Sequence, residues 1–198
     1  MKIFYSLLFV ITLSQFLLSQ NSNFVEYKIL MIGSPQEIHL IKDENDTYRG
    51  YINAEFYKPH QKFLGILIRK HKEIVIKIDL NPSIVENTMK KLQNAGIETI
   101  EDCRNDADCK SINFLDPDVL VFKINNSKNT KKLEFEEVYP ENTKKDNVEQ
   151  NVLRRKAQIL VTIIDENLKL KEKFKIVRKQ LNKPYCYGCG GISSCCVY

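Results

Sequence analysis

The chain has no tryptophan and only three histidines among its 198 residues. His39, His60 and His71 are far apart, and none belongs to an HExxH zinc motif. No glycine-rich phosphate loop follows any predicted strand, and no GxSxG turn surrounds any serine. The sequence therefore offers no motif of the metalloprotease, nucleotide-binding or α/β-hydrolase classes.

Beyond its N-terminus the chain also lacks an apolar run long enough to cross a bilayer, which takes about 20 mostly apolar residues. Lys2 precedes an apolar stretch from Ile3 to Leu18, and polar residues follow from Ser19. A short basic start, an apolar segment and a small residue before the cut are typical of a cleaved signal peptide. We expect residues 1–19 to be that peptide and the mature chain to be secreted or periplasmic. An uncleaved anchor helix is the alternative.

Positive charge is only slightly in excess, with 30 basic and 25 acidic residues and a formal net charge of +5. This balance does not by itself indicate a nucleic-acid partner, and no aromatic-basic RNA-binding motif is present, so none is expected.

A basic cluster lies near the C-terminus, with Glu172 as the only acid among its cations. The cations are Lys169, Lys171, Lys173, Lys175, Arg178, Lys179 and Lys183. A basic amphipathic helix can lie on an anionic surface, but lysines also suit a solvated helix near its C-terminal end. The predicted positions point around much of the helix and do not form one stripe, so contact with an anionic surface stays an open alternative.

The six cysteines are even in number, which in an exported chain indicates disulfides. These candidates are Cys103, Cys109, Cys186, Cys189, Cys195 and Cys196. In the tail, two bridges that join Cys186 and Cys189 to Cys195 and Cys196 would form a small knot. Zinc binding by four thiolates, free or intermolecular thiols and a CxxC redox site are the alternatives for the tail.

A bridge between Cys103 and Cys109 would close a short acidic loop. The loop carries Asp102, Asp106 and Asp108, with Asp116 and Asp118 nearby, and alternating acids can bind calcium. The loop lacks the glycine and glutamate that an EF-hand requires, so we expect a solvated loop held by a disulfide.

Period-two alternation predicts strands in the first half of the mature chain, including residues 24–32, 47–57 and 73–80. Asn81-Pro82 predicts the start of a helix that Gly96 ends. We also expect strands at 63–68, 97–100, 119–124 and 133–138.

A long C-terminal helix is predicted from Val148 to Leu181. Its apolar stripe is expected at Val152, Ile159, Ile163, Leu170, Phe174, Val177 and Leu181.

These elements predict an α+β fold with a mostly antiparallel sheet, one inserted helix and one long C-terminal helix. Residues 20–183 form the expected single domain, and residues 184–198 form a short cysteine-rich tail.

The expected function is that of a non-enzymatic binding or structural module with an unknown protein or surface partner. No catalytic, metal-binding or cofactor-binding residue is assigned, and no cofactor is expected. The alternatives are a metal-binding tail and a hydrolase-like enzyme. The site of such an enzyme would assemble from scattered residues such as His39, His60, Glu55 and the Asp106/Asp116 region.

Two tripeptides match the N-glycosylation pattern, in which Asn is followed two residues later by Ser or Thr. They are Asn45-Asp46-Thr47 and Asn125-Asn126-Ser127, both in predicted turns. Either matters only in a host that modifies such sites.

Overall fold

The structure is a computed structural model that describes residues 24–31, 35–59, 61–63, 66–69, 72–112, 114–115, 117–127, 129–141, 148–190 and 193–198. The predicted signal peptide lies outside the described residues. Of residues 61–63 and 66–69 only the backbone is described.

The predicted α+β fold with an antiparallel sheet is confirmed. The main sheet holds β1 (Val25–Met31), β2 (Gln36–Lys42), β3 (Tyr48–Lys58), β6 (Lys72–Asp79), β7 (Val119–Asn126), β8 (Thr130–Glu136), β9 (Tyr185–Gly188) and β10 (Ser194–Val197). Their order is β10-β9-β3-β2-β1-β7-β8, with β6 also paired to β3. The expected strand at 63–68 belongs to a separate antiparallel pair, β4 (Gln61–Phe63) and β5 (Ile66–Arg69).

The long strand β3 connects the two parts of the sheet. Its first part pairs with β2, and near its end Tyr57 pairs with Cys186 of β9. The cysteine-rich tail therefore pairs with the end of β3, beyond the residues that pair with β2.

Four helices occur among the described residues: α1 (Pro82–Asn94), α2 (Ala107–Lys110), α3 (Val152–Leu168) and α4 (Leu170–Gln180). The start of α1 is as predicted, because the Asn81 side chain accepts a hydrogen bond from the Ser83 N–H and Pro82 is the first helical residue. Gly96 has a φ of 85°, the left-handed conformation expected just after the helix.

The larger core lies between one face of the sheet and helices α1 and α3. Strand alternation turns Tyr27, Ile29 and Ile52 inward. Met89 of α1 and Leu160 of α3 pack against this face. Burial of this apolar area is the main stabilising contribution to the domain.

The predicted long C-terminal helix is divided in two. Lys169 has a φ of 51°, so α3 ends there and α4 begins in a new direction. The predicted stripe is wrong at Val152, which is 68% exposed, and at Ile159, which is 37% exposed. Leu160 and Val161 are buried instead. Because α3 is apolar around much of its circumference, periodicity did not identify which side faces the sheet.

The expected strand at residues 97–100 is a turn. Ile97 and Ile100 are buried in the core from this turn, so their apolar character reflects burial and not strand pairing. The expected polar loop that follows contains a 3₁₀ turn (Cys103–Asn105) and α2.

Within the described ranges, none of the helices combines the length and the apolar character that crossing a membrane requires.

Candidate functional site

A second, smaller core joins α4 to the end of β3 and to β9. Its aromatic cluster consists of Phe56, Phe174, Tyr185 and Tyr187. The rings of Phe56 and Phe174 are stacked with centroids 5.3 Å apart, and Tyr187 meets the Phe174 ring edge-on at 5.2 Å. Such pairs stabilise a core beyond the area that they bury. The cluster therefore anchors the inward face of α4.

Arg178 adds a cation to this cluster. Its guanidinium carbon lies 4.8 Å from the Tyr187 ring centroid and 5.9 Å from that of Phe174. Among the described residues its buried Nε has no hydrogen-bond partner, so the aromatic faces are the main partners of the charge there. The Tyr185 hydroxyl donates to the Arg178 carbonyl over 3.1 Å.

The tail forms a disulfide-bonded antiparallel pair of strands, which we call the cystine hairpin (residues 185–190 and 193–198). Cys186 is bonded to Cys196, and Cys189 to Cys195. Each of the adjacent cysteines thus has a different partner, which agrees with the expected small knot and not with zinc or free thiols. The Lys183 ammonium donates to the Tyr198 carbonyl over 2.8 Å and ties the hairpin to the segment after α4.

The outward face of α4 is a row of lysines. Lys171, Lys175 and Lys179 are all exposed and follow at every fourth residue, so they lie above one another on one side of the helix. The seven cations together form no single stripe, as expected, because Arg178 faces the aromatic cluster, but these three form a row. Ile176, 57% exposed, is the one large apolar side chain beside them on α4.

These lysines differ from several others in lacking acidic partners among the described residues. Lys28, Lys42, Lys77, Lys90 and Lys132 all form ion pairs. Within the part of the chain that the structure describes, residues 169–183 form none. We call residues 169–183 the cationic segment.

The cationic segment accounts for the whole net positive charge of the protein. It holds seven of the 30 basic residues and one of the 25 acidic residues, a net charge of +6. The other 23 basic and 24 acidic residues give −1. Such a separation of charge steers anionic partners to one end of a molecule.

The acidic loop is held as expected by the Cys103–Cys109 disulfide. Asp102 accepts hydrogen bonds from Arg104, and Asp106 accepts one from the Cys109 N–H over 2.6 Å. These carboxylates therefore cap short helices. Among the described residues no three His, Cys, Asp or Glu side chains are grouped as metal ligands.

A charged cluster that the sequence did not reveal surrounds His39 on the sheet face opposite the core. Its Nδ1 lies 3.1 Å from Glu26 Oε1 and its Nε2 2.5 Å from Glu37 Oε1, while its ring stacks on Tyr51 at 4.4 Å. Partial burial raises the pKa of the Glu37 carboxyl, but hydrogen bonds from Lys28 and His39 outweigh it, so this pKa lies below its ordinary value. The side chain of His39 is 8% exposed, so the cluster joins strands without presenting a free imidazole.

Of the residues considered for a scattered enzyme site, the described ones have separate surroundings. His39 contacts Glu26 and Glu37, whereas Glu55 lies further along β3 and Asp106 caps α2. His60 and Asp116 lie outside the described residues.

Two other polar clusters pin loops to α3 and β8. Arg154 is 3% exposed and donates twice to the Glu149 carboxylate, each over 2.7 Å, and once to the Glu136 carbonyl. The Tyr139 hydroxyl lies 2.7 Å from Asp118 Oδ2 and 2.9 Å from Glu137 Oε2. Burial and these carboxylates raise the pKa of Tyr139 far above its ordinary value, so it stays a neutral donor.

Comparison with known proteins provides no relative from which to transfer a function. No protein-family model matches the chain. No curated protein matches it either. We therefore base a functional proposal on the charges and contacts of the described residues.

Proposed function

We propose that this protein is an exported, non-enzymatic binding module that attaches through the cationic segment to a linear anionic polysaccharide. The observation that supports this most is the row of Lys171, Lys175 and Lys179, exposed and without acidic partners among the described residues. A polymer that carries sulfate or carboxylate groups at regular intervals complements such a row.

The geometry of the row suits a strand-shaped ligand. Lys171 and Lys179 are eight residues apart, which at 1.5 Å per helical residue is roughly 12 Å. Several charges of one extended polymer can therefore be bound at once, and the counterions that the polymer releases favour binding.

A bilayer is a poorer partner for the same helix. An interfacial helix inserts its apolar face into the lipid, but Leu170 and Val177 of α4 are buried in the protein itself. Only Ile176 is available outward. Attachment to lipid would depend on charge alone.

The packing of α4 against the rest of the protein favours binding without a conformational change of the helix. The aromatic cluster and the cystine hairpin hold the helix against β3. A preorganised row of charges loses less conformational entropy on binding than a flexible basic tail would. Three disulfides fit a protein of an oxidising compartment, where anionic polysaccharides occur.

Titration with a heparin fragment tests the proposal. The triple variant Lys171→Gln, Lys175→Gln, Lys179→Gln is expected to bind the fragment about tenfold more weakly or worse, because each exposed contact contributes roughly 0.5 kcal/mol or more. The matched control removes three charges elsewhere, by Arg49→Gln, Lys110→Gln and Lys156→Gln. These side chains are exposed and form no ion pair within the described ranges.

The control variant is expected to bind nearly as well as the wild type. Equal weakening of both triple variants would mean that net charge and not the row is recognised. Binding to vesicles that contain phosphatidylserine, without binding to heparin, would replace the polysaccharide with an anionic lipid surface and overturn the proposal.

A further inference from the structure

The two N-glycosylation tripeptides lie in very different surroundings. Asn45 is exposed in the turn between β2 and β3. Its side chain forms no hydrogen bond within the described part of the chain. Asn125, expected in a turn, lies instead in β7 and is half-buried.

The amide nitrogen of Asn125 is already used inside the sheet. Its Nδ2 donates to Glu26 Oε2 over 3.0 Å, and the same carboxylate accepts from His39. A sugar on this nitrogen would occupy the space between neighbouring strands and displace Glu26. The folded protein can therefore carry a glycan at Asn45 but not at Asn125.

We infer that Asn45 is an N-glycan acceptor and that Asn125 is not. The donor is a lipid-diphosphate-linked oligosaccharide. In the transfer, a bond forms between Asn45 Nδ2 and the anomeric carbon of the first sugar. The bond from that carbon to the diphosphate oxygen breaks, the lipid diphosphate leaves with the electron pair, and the amide nitrogen loses one proton. No oxidant or reductant takes part.

The turn holds its shape without the Asn45 side chain. Asp43 Oδ1 accepts from the N–H groups of both Asn45 and Thr47, each over 2.9 Å. Lys42 and Asp46 form an ion pair of 2.7 Å across the turn. A glycan on Asn45 therefore replaces only contacts with water.

The acceptor is also remote from the cationic segment. Asn45 precedes β3, whereas the cystine hairpin pairs near the other end of this 11-residue strand. The start of the segment lies nearer, because the side chain of Gln36, which pairs with Ala54 of β3, donates to the Leu170 carbonyl. At about 3.3 Å per residue, Ala54 lies roughly 20 Å along β3 from Tyr48, where the strand begins. A glycan at Asn45 thus leaves the proposed polysaccharide site open, and this inference depends on export but not on that site.

The test is expression of the full chain in a eukaryotic cell line, with peptide-level mass spectrometry of cells and medium after peptide N-glycosidase treatment. The wild type is expected to show one glycan, with Asn45 converted to aspartate by the enzyme. Asn45→Gln and Thr47→Ala are each expected to lose it, and Asn125→Gln is expected to retain it.

A glycan at Asn125, or its absence from Asn45, would overturn the inference. Unmodified protein in the medium would do so with export intact, while unmodified protein confined to the cells would count against both export and the acceptor.

Discussion

Arg178 lies with its guanidinium carbon 4.8 Å above the centre of the Tyr187 ring. This contact joins α4 to the cystine hairpin, because Arg178 belongs to the helix and Tyr187 to β9. The same guanidinium faces Phe174 from its own helix. The inward cation of the cationic segment therefore has a structural role, which leaves the outward lysines for a ligand.

Removal of this cation should destabilise the protein. Arg178→Gln is expected to lower the free energy of unfolding by about 1–2 kcal/mol, since it removes a half-buried cation from contact with two aromatic faces. Lys179→Gln removes the same charge from an exposed neighbour and is expected to change it by less than about 0.5 kcal/mol. Urea unfolding measures both, and indistinguishable midpoints would contradict the structural role of Arg178.

Gly50 is expected to tolerate no side chain. A Cβ there would lie 2.7 Å from the His39 carbonyl oxygen and 2.9 Å from Val85 Cγ2, and a Cβ essentially never comes so close to either kind of atom. Gly50→Ala should therefore cost about 1–3 kcal/mol, because a strand backbone and a packed helix must both shift. Gly188→Ala is the matched control, since a Cβ there meets nothing within 4 Å. Thermal unfolding that ranks the two variants equally would refute the close approach of α1 to β3.

The buried pair of Arg154 and Glu149 should be costly to break. Arg154→Leu is expected to destabilise the protein by roughly 3–5 kcal/mol, because Glu149 and two carbonyls lose their donors in a buried site. Arg155→Leu breaks a more exposed pair with Glu141 and is expected to cost about 1 kcal/mol or less. Calorimetry distinguishes these values, and similar melting temperatures would show that Arg154 is not buried as described.

The His39 cluster should make stability depend on pH. The pKa of Glu37 is lower in the folded protein than its ordinary value of 4.5, so its contribution is fully present above pH 4.5 and is lost as pH falls through the folded pKa. Wild type should therefore be more stable than Glu37→Gln at pH 6, and this difference should shrink in more acidic buffer. Glu73→Gln, at an exposed position on β6, should show no such trend. A difference that is constant with pH would exclude the proposed charge interactions of Glu37.

The sequence predicted the parts of the fold that depend on local patterns. Alternation predicted strand β3, because one side of the strand, with Ile52 and Ala54, is buried and the other side is more exposed to solvent. The cap at Asn81 predicted the start of α1, since a side-chain acceptor before proline satisfies the first free N–H groups of a helix.

Such local patterns could not predict contacts between segments that are distant in the sequence. Lys169 ends α3 although neither glycine nor proline marks the position, and α4 beyond it packs against the aromatic cluster. The pairing of Cys186 with Tyr57 joins residues far apart in sequence. The exposure of the row of lysines depends on which side of α4 is buried, which tertiary packing determines. The partners of His39 depend on the register between β1 and β2.

Salt dependence of heparin binding tests the central proposal most directly. If several lysines of the row each neutralise a polymer charge, the logarithm of the binding constant should fall steeply with the logarithm of salt concentration. The Lys171→Gln, Lys175→Gln, Lys179→Gln variant should show a slope shallower by roughly two to three, by analogy with counterion release from other polyanions. A wild-type slope near zero, or equal slopes for this variant and for Arg49→Gln, Lys110→Gln, Lys156→Gln, would contradict recognition of a polyanion by the cationic segment.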